Sequence, residues 1–211
     1  MKEKIKLIYR ILIVIISAIG LYVNFKFLTF EKGILYFTNL SNLLCMIYFL
    51  VLVILMITNK VKRNDIYYIF KGMVTMGITL TMIVYNLLLA NSNAAGVFAN
   101  HQAECSIVHI IVPLMVIFDY IIFGEKGKLK KEYPLIWSFV LIAYQLFVTI
   151  YTANGGTFID GSTYPYPFMD MEKYGAGQVT INMIVTFVFF VGYGSIVQML
   201  DNKLGKKKND R

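Results

Sequence analysis

Six long apolar runs constrain the fold of this 211-residue chain more than any other feature. A helix needs about 20 apolar residues to cross the roughly 30 Å hydrocarbon core of a membrane, since each residue adds about 1.5 Å. Runs of suitable length occupy residues 7–25, 38–58, 68–90, 104–123, 134–153 and 178–200. We therefore predict an all-α polytopic membrane protein in which residues 1–211 form a single domain, a bundle of six transmembrane helices.

Composition argues against a water-soluble domain. Hydrophobic residues make up 58% of the chain, charged residues make up 15%, and the mean hydropathy is +0.65. A soluble domain carries about 25% charged residues. The net charge of +8 could indicate a nucleic-acid partner, but the basic residues border the apolar runs instead of forming a basic face. We expect membrane lipids as partners and no nucleic acid.

The basic residues also predict an orientation. They precede the first run, fill the segments after the second and fourth runs, and follow the sixth. Of the 20 basic residues, only Lys26, Lys32 and Lys173 fall on the other side. Basic loops stay in the cytoplasm, so both termini are predicted to be cytoplasmic in a multi-pass plasma membrane protein. The N-terminus lacks a small-residue cleavage site and is interpreted as a retained first helix.

Cysteine and histidine do not suggest a metal site. Cys45 and Cys105 both fall in apolar runs, where cysteine usually behaves as a small buried hydrophobe. His101 falls in a short outer loop and is expected to be solvated. We expect no metal, no cofactor and no disulfide.

Polar residues inside the predicted spans mark the candidate site, because polar groups are costly in lipid. In the second span, Thr38, Ser41, Asn42 and Cys45 follow the i, i+3, i+4, i+7 spacing of one helix face. His109 lies five residues into the fourth span, roughly 8 Å deep.

Two further spans carry polar residues near their outer ends. Asn86 lies in the third span, and Gln178 and Asn182 lie one turn apart in the sixth. These groups could satisfy one another only by converging on the bundle interior. The pattern therefore predicts a polar cavity in the outer half of the bundle.

Each candidate also has a structural interpretation. Thr38 is placed to be the N-cap of the second helix. Asn42, Asn86 and Asn182 are placed to join helices by hydrogen bonds. His109 is the one histidine within a predicted span, can act as a base near neutral pH, and precedes the helix-loosening Pro113, so a functional role is favoured.

Asp119 is interpreted as a structural charge. It lies ten residues after His109, or about 15 Å along a helix, which is too far to orient the imidazole. Lys71 enters the third span at a comparable depth near the inner side. An ion pair between Asp119 and Lys71 is therefore expected.

Three strings of residues carry a resemblance to a known family. They are Tyr36-Phe37-Thr38-Asn39-Leu40-Ser41-Asn42-Leu43-Leu44, His109-Ile110-Ile111-Val112-Pro113 followed by Asp119-Tyr120, and Tyr164-Pro165-Tyr166-Pro167-Phe168-Met169-Asp170. Together they resemble a prokaryotic family of six-helix integral membrane proteins over nearly the whole chain. That family is distantly similar to the androgen-induced-gene membrane hydrolases, which cleave fatty acid esters of hydroxy fatty acids. The alternating prolines and aromatics of the third string also predict an extended segment that packs onto the bundle.

The resemblance implies a threonine nucleophile and a histidine base, which fall on Thr38 and His109. Thr29 is a rival because its surroundings also resemble the family string, but it should lie in the outer loop, whereas Thr38 opens a helix. Asn42 or Asn86 could then supply amide hydrogens to an oxyanion.

Two functions remain open at this point. The leading hypothesis is an intramembrane hydrolase of lipid (fatty acyl) esters that uses Thr38 and His109 near the outer face, with a lipid-like substrate. The alternative is a non-enzymatic bundle that binds or carries a lipid or small molecule in the polar cavity, lined by Ser41, Asn42, Asn86 and Asn182.

Overall fold

The computed structural model describes residues 1–89 and 105–209, and within these ranges all regular secondary structure is helical. The α-helices are α1 (Lys2–Leu28), α2 (Phe30–Gly33), α3 (Phe37–Ile57), α4 (Asp65–Val84), α5 (Val112–Phe123), α6 (Tyr133–Ala153) and α7 (Met171–Asn209). Two π-helical turns, Tyr85–Leu89 and Ile107–Ile111, extend α4 and precede α5. Ala90 and Glu104, which bound two predicted spans, and His101 lie outside the described residues.

Five of these helical stretches are long and apolar enough to cross a membrane. They are Lys2–Leu28, Phe37–Ile57, Asp65–Leu89, Tyr133–Ala153 and Met171–Lys206. A shorter apolar helix covers Ile107–Phe123. Large apolar side chains cover the outside of the bundle, among them Ile54, Phe139 and Val185, each more than half exposed. The all-α class is confirmed, and the long apolar helices indicate a membrane protein.

Local sequence signals set several helix ends. Asn64 is the N-cap of α4, where its side-chain oxygen accepts a hydrogen bond from the Tyr67 amide at 3.1 Å. After α3, the chain turns at Asn59, whose φ of 54° lies in the left-handed region that asparagine tolerates. Gly175, with φ 74°, separates the first turn of α7 from the rest of the helix.

Helix α4 joins the two apolar cores of the bundle. It packs against α3, α5 and α6, while α1 packs on α3 and α6 packs on α7. The first core contains Ile13, Phe49 and Ile78, and the second contains Trp137 and Phe190. Cys45 and Cys105 are both buried, as predicted.

A glycine in α4 allows a close approach to α6. A Cβ atom at Gly72 would lie 2.1 Å from the Trp137 ring, which is itself 1% exposed. Because the indole is buried among other side chains, a larger residue at this position would require the ring or the helices to shift.

The loops fall into two groups, one at each end of the bundle. At the first end, the Arg63 guanidinium pairs with Glu125, and the Gly127 amide donates to the Asp201 carbonyl at 3.1 Å. At the second end, the Ile159 amide donates to the Tyr36 hydroxyl at 3.2 Å. The first end brings together the N-terminus of α1, the loops 58–64 and 124–132 and the C-terminal part of α7. These are the basic segments of the chain.

Candidate functional site

Thr38 lies in the first turn of α3, which begins beneath the loop 154–170. Tyr36 occupies the N-cap position of α3 without a side-chain capping bond. The Phe37 amide donates instead to the Tyr144 hydroxyl at 3.2 Å, and the Thr38 amide donates to the Tyr166 hydroxyl at 3.3 Å. The N-cap interpretation of Thr38 is therefore wrong, because two tyrosine hydroxyls satisfy the amides at this helix start.

Tyr166 brings the loop 154–170 onto the candidate nucleophile. Burial raises the pKa of the Tyr166 phenol to about 12, and hydrogen bonds from the Thr38 side chain and amide oppose this rise. The Asn182 side-chain amide holds the loop by donating to the Phe168 carbonyl at 2.9 Å. The prediction that the alternating prolines and aromatics pack onto the bundle is confirmed, but the segment is not extended throughout, because Pro167–Met169 forms a 3-10 helical turn.

Thr38 lies in the wall of an apolar cavity of about 330 Å³. Apolar side chains from α4, α6 and α7 form most of the wall, including Leu80, Leu141 and Met183. Leu146 and Ile184, which also line it, are each 57% exposed. The cavity therefore opens sideways between helices, on the apolar outer surface of the bundle.

His109 lies in the π-helical turn before α5. Pro113 has no amide hydrogen to donate to the His109 carbonyl four residues earlier, so the regular α-helical pattern cannot continue through this point. His109 Nδ1 is 2.8 Å from the Cys105 carbonyl oxygen. A carbonyl can only accept, so this bond places the proton on Nδ1 and leaves Nε2 as the basic nitrogen of the neutral ring.

Tyr85 connects His109 with the cavity. The two rings stack with centroids 3.7 Å apart and planes 16° apart. Tyr85 also belongs to the cavity wall, and it lies in the other π-helical turn. Such turns are uncommon and often mark functional positions in helices.

The structure brings Thr38 and His109 to neighbouring sites but does not join them. The Thr38 amide donates a hydrogen bond to the Tyr166 hydroxyl, and the His109 imidazole is hydrogen-bonded to the Cys105 carbonyl. Asn42 connects the two segments, because its side-chain nitrogen donates to the Thr38 carbonyl at 2.8 Å and to the Val108 carbonyl at 3.1 Å. The Asn42 amide hydrogens are thus used within the fold and are not free for an oxyanion.

The remaining predicted polar residues do not converge on one cavity. The Ser41 hydroxyl is 2.8 Å from the Thr81 hydroxyl, within the protein. Asn86 is exposed and donates to the Met82 carbonyl of its own helix at 2.8 Å. The Asn182 side-chain oxygen accepts from Gln178 at 3.0 Å. Of this predicted set, Thr38 is the member that lines the apolar cavity.

Thr29, the rival threonine, has a local structural role. It is exposed, has φ 55°, and is the N-cap of α2, where its hydroxyl accepts from the Lys32 amide at 3.5 Å. Its position agrees with the prediction that it lies in the loop between the first two spans.

Asp119 is fully buried in an ion-pair cluster near the first end of the bundle. Arg10 donates from Nε to one carboxylate oxygen at 2.8 Å and from Nη2 to the other at 3.1 Å. Lys71 Nζ lies 3.4 Å from Asp119 Oδ2. The expected Lys71 contact is present, but the bidentate Arg10 pair is the closer one, and the three residues together carry one excess positive charge.

Several important residues were missed from the sequence. Arg10 lies three residues inside the first apolar run. Its position could have indicated a buried ion pair, because a charge within a span needs a buried partner. Tyr85 gave no such signal, since tyrosine is common near membrane interfaces. Tyr166 stands in the string predicted to pack onto the bundle, but its contact with Thr38 was not predicted. Asn24 was also missed; it donates to the buried Asn39 side chain at 2.8 Å.

Comparison of the chain with family models, with curated proteins and with solved structures gives no match.

Proposed function

We propose that this protein crosses the plasma membrane six times, with both termini in the cytoplasm, and that it hydrolyses fatty acyl esters with Thr38 as nucleophile. Five long helices and the shorter Ile107–Phe123 helix supply the spans. The gathering of the basic segments at one end of the bundle supports the orientation, because basic loops are retained in the cytoplasm.

The observation that carries the hydrolase proposal is the position of Thr38 in the wall of the apolar cavity. The cavity lies within the range of small-molecule sites, roughly 300–1,000 Å³. Its lateral opening past Leu146 and Ile184 suits an acyl chain that enters from the membrane. The chain would fill the apolar part and leave its ester group at the threonine hydroxyl.

The chemistry follows from these groups. The Thr38 hydroxyl oxygen attacks the ester carbonyl carbon while its proton passes to His109 Nε2. The Tyr166 hydroxyl donates to the oxyanion that forms. Collapse breaks the bond to the alcohol, which leaves with the proton from the imidazolium, and water then hydrolyses the acyl-threonine ester.

The catalytic step requires a joint movement of the stacked Tyr85 and His109 side chains. Tyr85 lines the cavity, so a shift of the two rings together would bring the imidazole edge to the cavity. A substrate acyl chain that moves the stacked pair would couple binding to assembly of the catalytic pair.

A second candidate function is a lipid-binding or lipid-carrying bundle without catalysis. The observation that favours it is that the described hydrogen bonds do not join Thr38 to His109. In this case the Thr38 hydroxyl serves only to anchor the polar end of a bound lipid.

One experiment separates the two functions. The purified protein is assayed with a fluorescent acyl ester and labelled with a fluorophosphonate probe, as wild type, Thr38→Ala and Thr29→Ala. A hydrolase loses about a hundredfold or more of its rate in Thr38→Ala, with Thr29→Ala near wild type. If the wild type and both variants bind the acyl chain but show neither ester turnover nor labelling, the result contradicts the hydrolase and supports the carrier. Loss of activity only in Thr29→Ala contradicts the choice of nucleophile.

A further inference from the structure

A second pocket lies at the first end of the bundle, beside the Arg10–Asp119 pair. It has a volume of about 390 Å³ and is formed by the start of α1, the end of α3 and the loop 58–64. The basic side chains in its wall are Lys4, Lys6, Arg10 and Arg63. It is separate from the cavity at Thr38 and shares none of its lining residues.

Two of the cations in this wall are buried. The Arg10 side chain is 2% exposed and the Lys6 side chain is 9% exposed. Lys6 Nζ lies 3.6 Å from Glu3 Oε2, but the Glu3 side chain is 73% exposed. Arg10 Nη1 lies 3.3 Å from the Met56 sulfur, a weak acceptor. Lys6 is therefore poorly neutralised, whereas Arg10 is paired with Asp119, a carboxylate that it shares with Lys71.

The charge around the pocket does not balance among the described residues. The cations of the wall and its ion pairs are Lys4, Lys6, Arg10, Arg63 and Lys71, and the carboxylates are Glu3, Asp119 and Glu125. Two positive charges are left without a carboxylate. Lys4 is exposed and can be solvated, but Lys6 is buried with only an exposed carboxylate beside it. Arg10 and Lys71 share the single carboxylate of Asp119. Incompletely balanced buried cations are costly, so an anion in the pocket would stabilise the fold.

The geometry points to a binding site for a phosphate group in this pocket, held by Lys6, Arg10 and Arg63. Lysine supplies a point charge, while arginine suits the paired oxygens of phosphate. Met56 and Val61 in the same wall offer apolar contact to the start of an acyl chain. Basic pockets between helices near a membrane surface are suited to anionic phospholipid headgroups. This site does not depend on the proposed hydrolase activity.

Thermal unfolding of the full chain in neutral detergent micelles tests the site. The probes are phosphatidylglycerol, phosphatidylcholine and inorganic phosphate, each titrated against wild type, Lys6→Met and Lys128→Met. Lys6→Met removes the buried charge and keeps an unbranched apolar stem, so it should fold. Lys128→Met makes the same change at an exposed position on the same end of the bundle.

We expect phosphatidylglycerol to raise the unfolding temperature more than phosphatidylcholine does. Lys6→Met should weaken this effect about tenfold in apparent affinity, and Lys128→Met should leave it nearly unchanged. Equal protection by inorganic phosphate, lost in Lys6→Met, would support the phosphate site and assign it to a free anion instead of a lipid. The site would be overturned if Lys6→Met and Lys128→Met lost the same amount of protection. It would also be overturned if neither phosphatidylglycerol nor inorganic phosphate raised the unfolding temperature.

Discussion

The imidazole of His109 stacks on the phenol ring of Tyr85 with centroids 3.7 Å apart, and each residue lies in a π-helical turn. The contact holds the orientation of the candidate base, together with the bond from Nδ1 to the Cys105 carbonyl. It also places an aromatic ring of the cavity wall directly against that base.

Replacing Tyr85 should affect catalysis according to whether a ring remains. Tyr85→Phe keeps the stacking surface and should retain ester hydrolysis within about twofold, whereas Tyr85→Leu should lower kcat by up to about a hundredfold, because the imidazole is less well placed. Loss of stacking should also destabilise the fold by about 1 kcal/mol. Rates and thermal unfolding of both variants provide the test, and equal activity of the two would contradict a positioning role.

Tyr166→Phe tests the role of the loop in the site. It removes the hydroxyl that accepts from the Thr38 amide and that we propose as the donor to the oxyanion. We expect kcat to fall by about a hundredfold, with a smaller change in KM. Tyr164→Phe alters a tyrosine two residues away in the same string and should be close to wild type. A Tyr166→Phe variant with normal kcat would exclude the hydroxyl from catalysis.

Asp119→Asn should strongly destabilise the bundle. The substitution leaves Arg10 and Lys71 buried without their shared counter-ion, at a cost of about 3–5 kcal/mol. Asp65→Asn is the matched control, because Asp65 forms an exposed ion pair with Lys130 and should change stability little. Thermal unfolding in detergent compares them. If the Asp119→Asn variant keeps the wild-type unfolding temperature and loses only fluorophosphonate labelling, the structural role of Asp119 is contradicted.

Gly72→Ala should destabilise the contact between α4 and α6. The added methyl group would meet the Trp137 ring at 2.1 Å, and overpacking of this kind costs about 1–3 kcal/mol. At Gly192 in α7, a Cβ meets no atom within 4 Å among the described residues, so Gly192→Ala should be neutral or slightly stabilising. Similar unfolding temperatures for the two variants would show that the indole can move aside.

The helices were predictable because apolar runs of sufficient length have few alternatives in a membrane protein. Among the described residues, each predicted range falls on helical structure, but the ends differ, since α1 and α7 continue beyond their apolar parts to Lys2 and Asn209. Polar residues and charges can extend a helix past the hydrocarbon core, so hydropathy alone does not set its ends.

The site was predictable only in part. Helical spacing correctly identified the buried face at Ser41, Asn42 and Cys45. The same spacing could not show that Thr38 lies at the edge of that face, nor that Tyr166 reaches it from a distant loop. Asn86 was assigned to the cavity by depth, but the π-helical turn that begins at Tyr85 lies at that point and the asparagine faces outward. Long-range side-chain contacts and changes of helix type have no simple periodic signal.

Single cysteine substitutions should establish the topology. The exposed positions Lys128 and Thr163 lie in the loops at the first and second ends of the bundle. The native Cys45 and Cys105 are 0% and 1% exposed, so they should contribute little background with a membrane-impermeant maleimide. Because the basic segments gather at the first end, Thr163→Cys should react on intact cells, and Lys128→Cys only after the membrane is permeabilised. Reaction of both positions from the same side would contradict the six-span topology, and the reverse pattern would contradict the orientation.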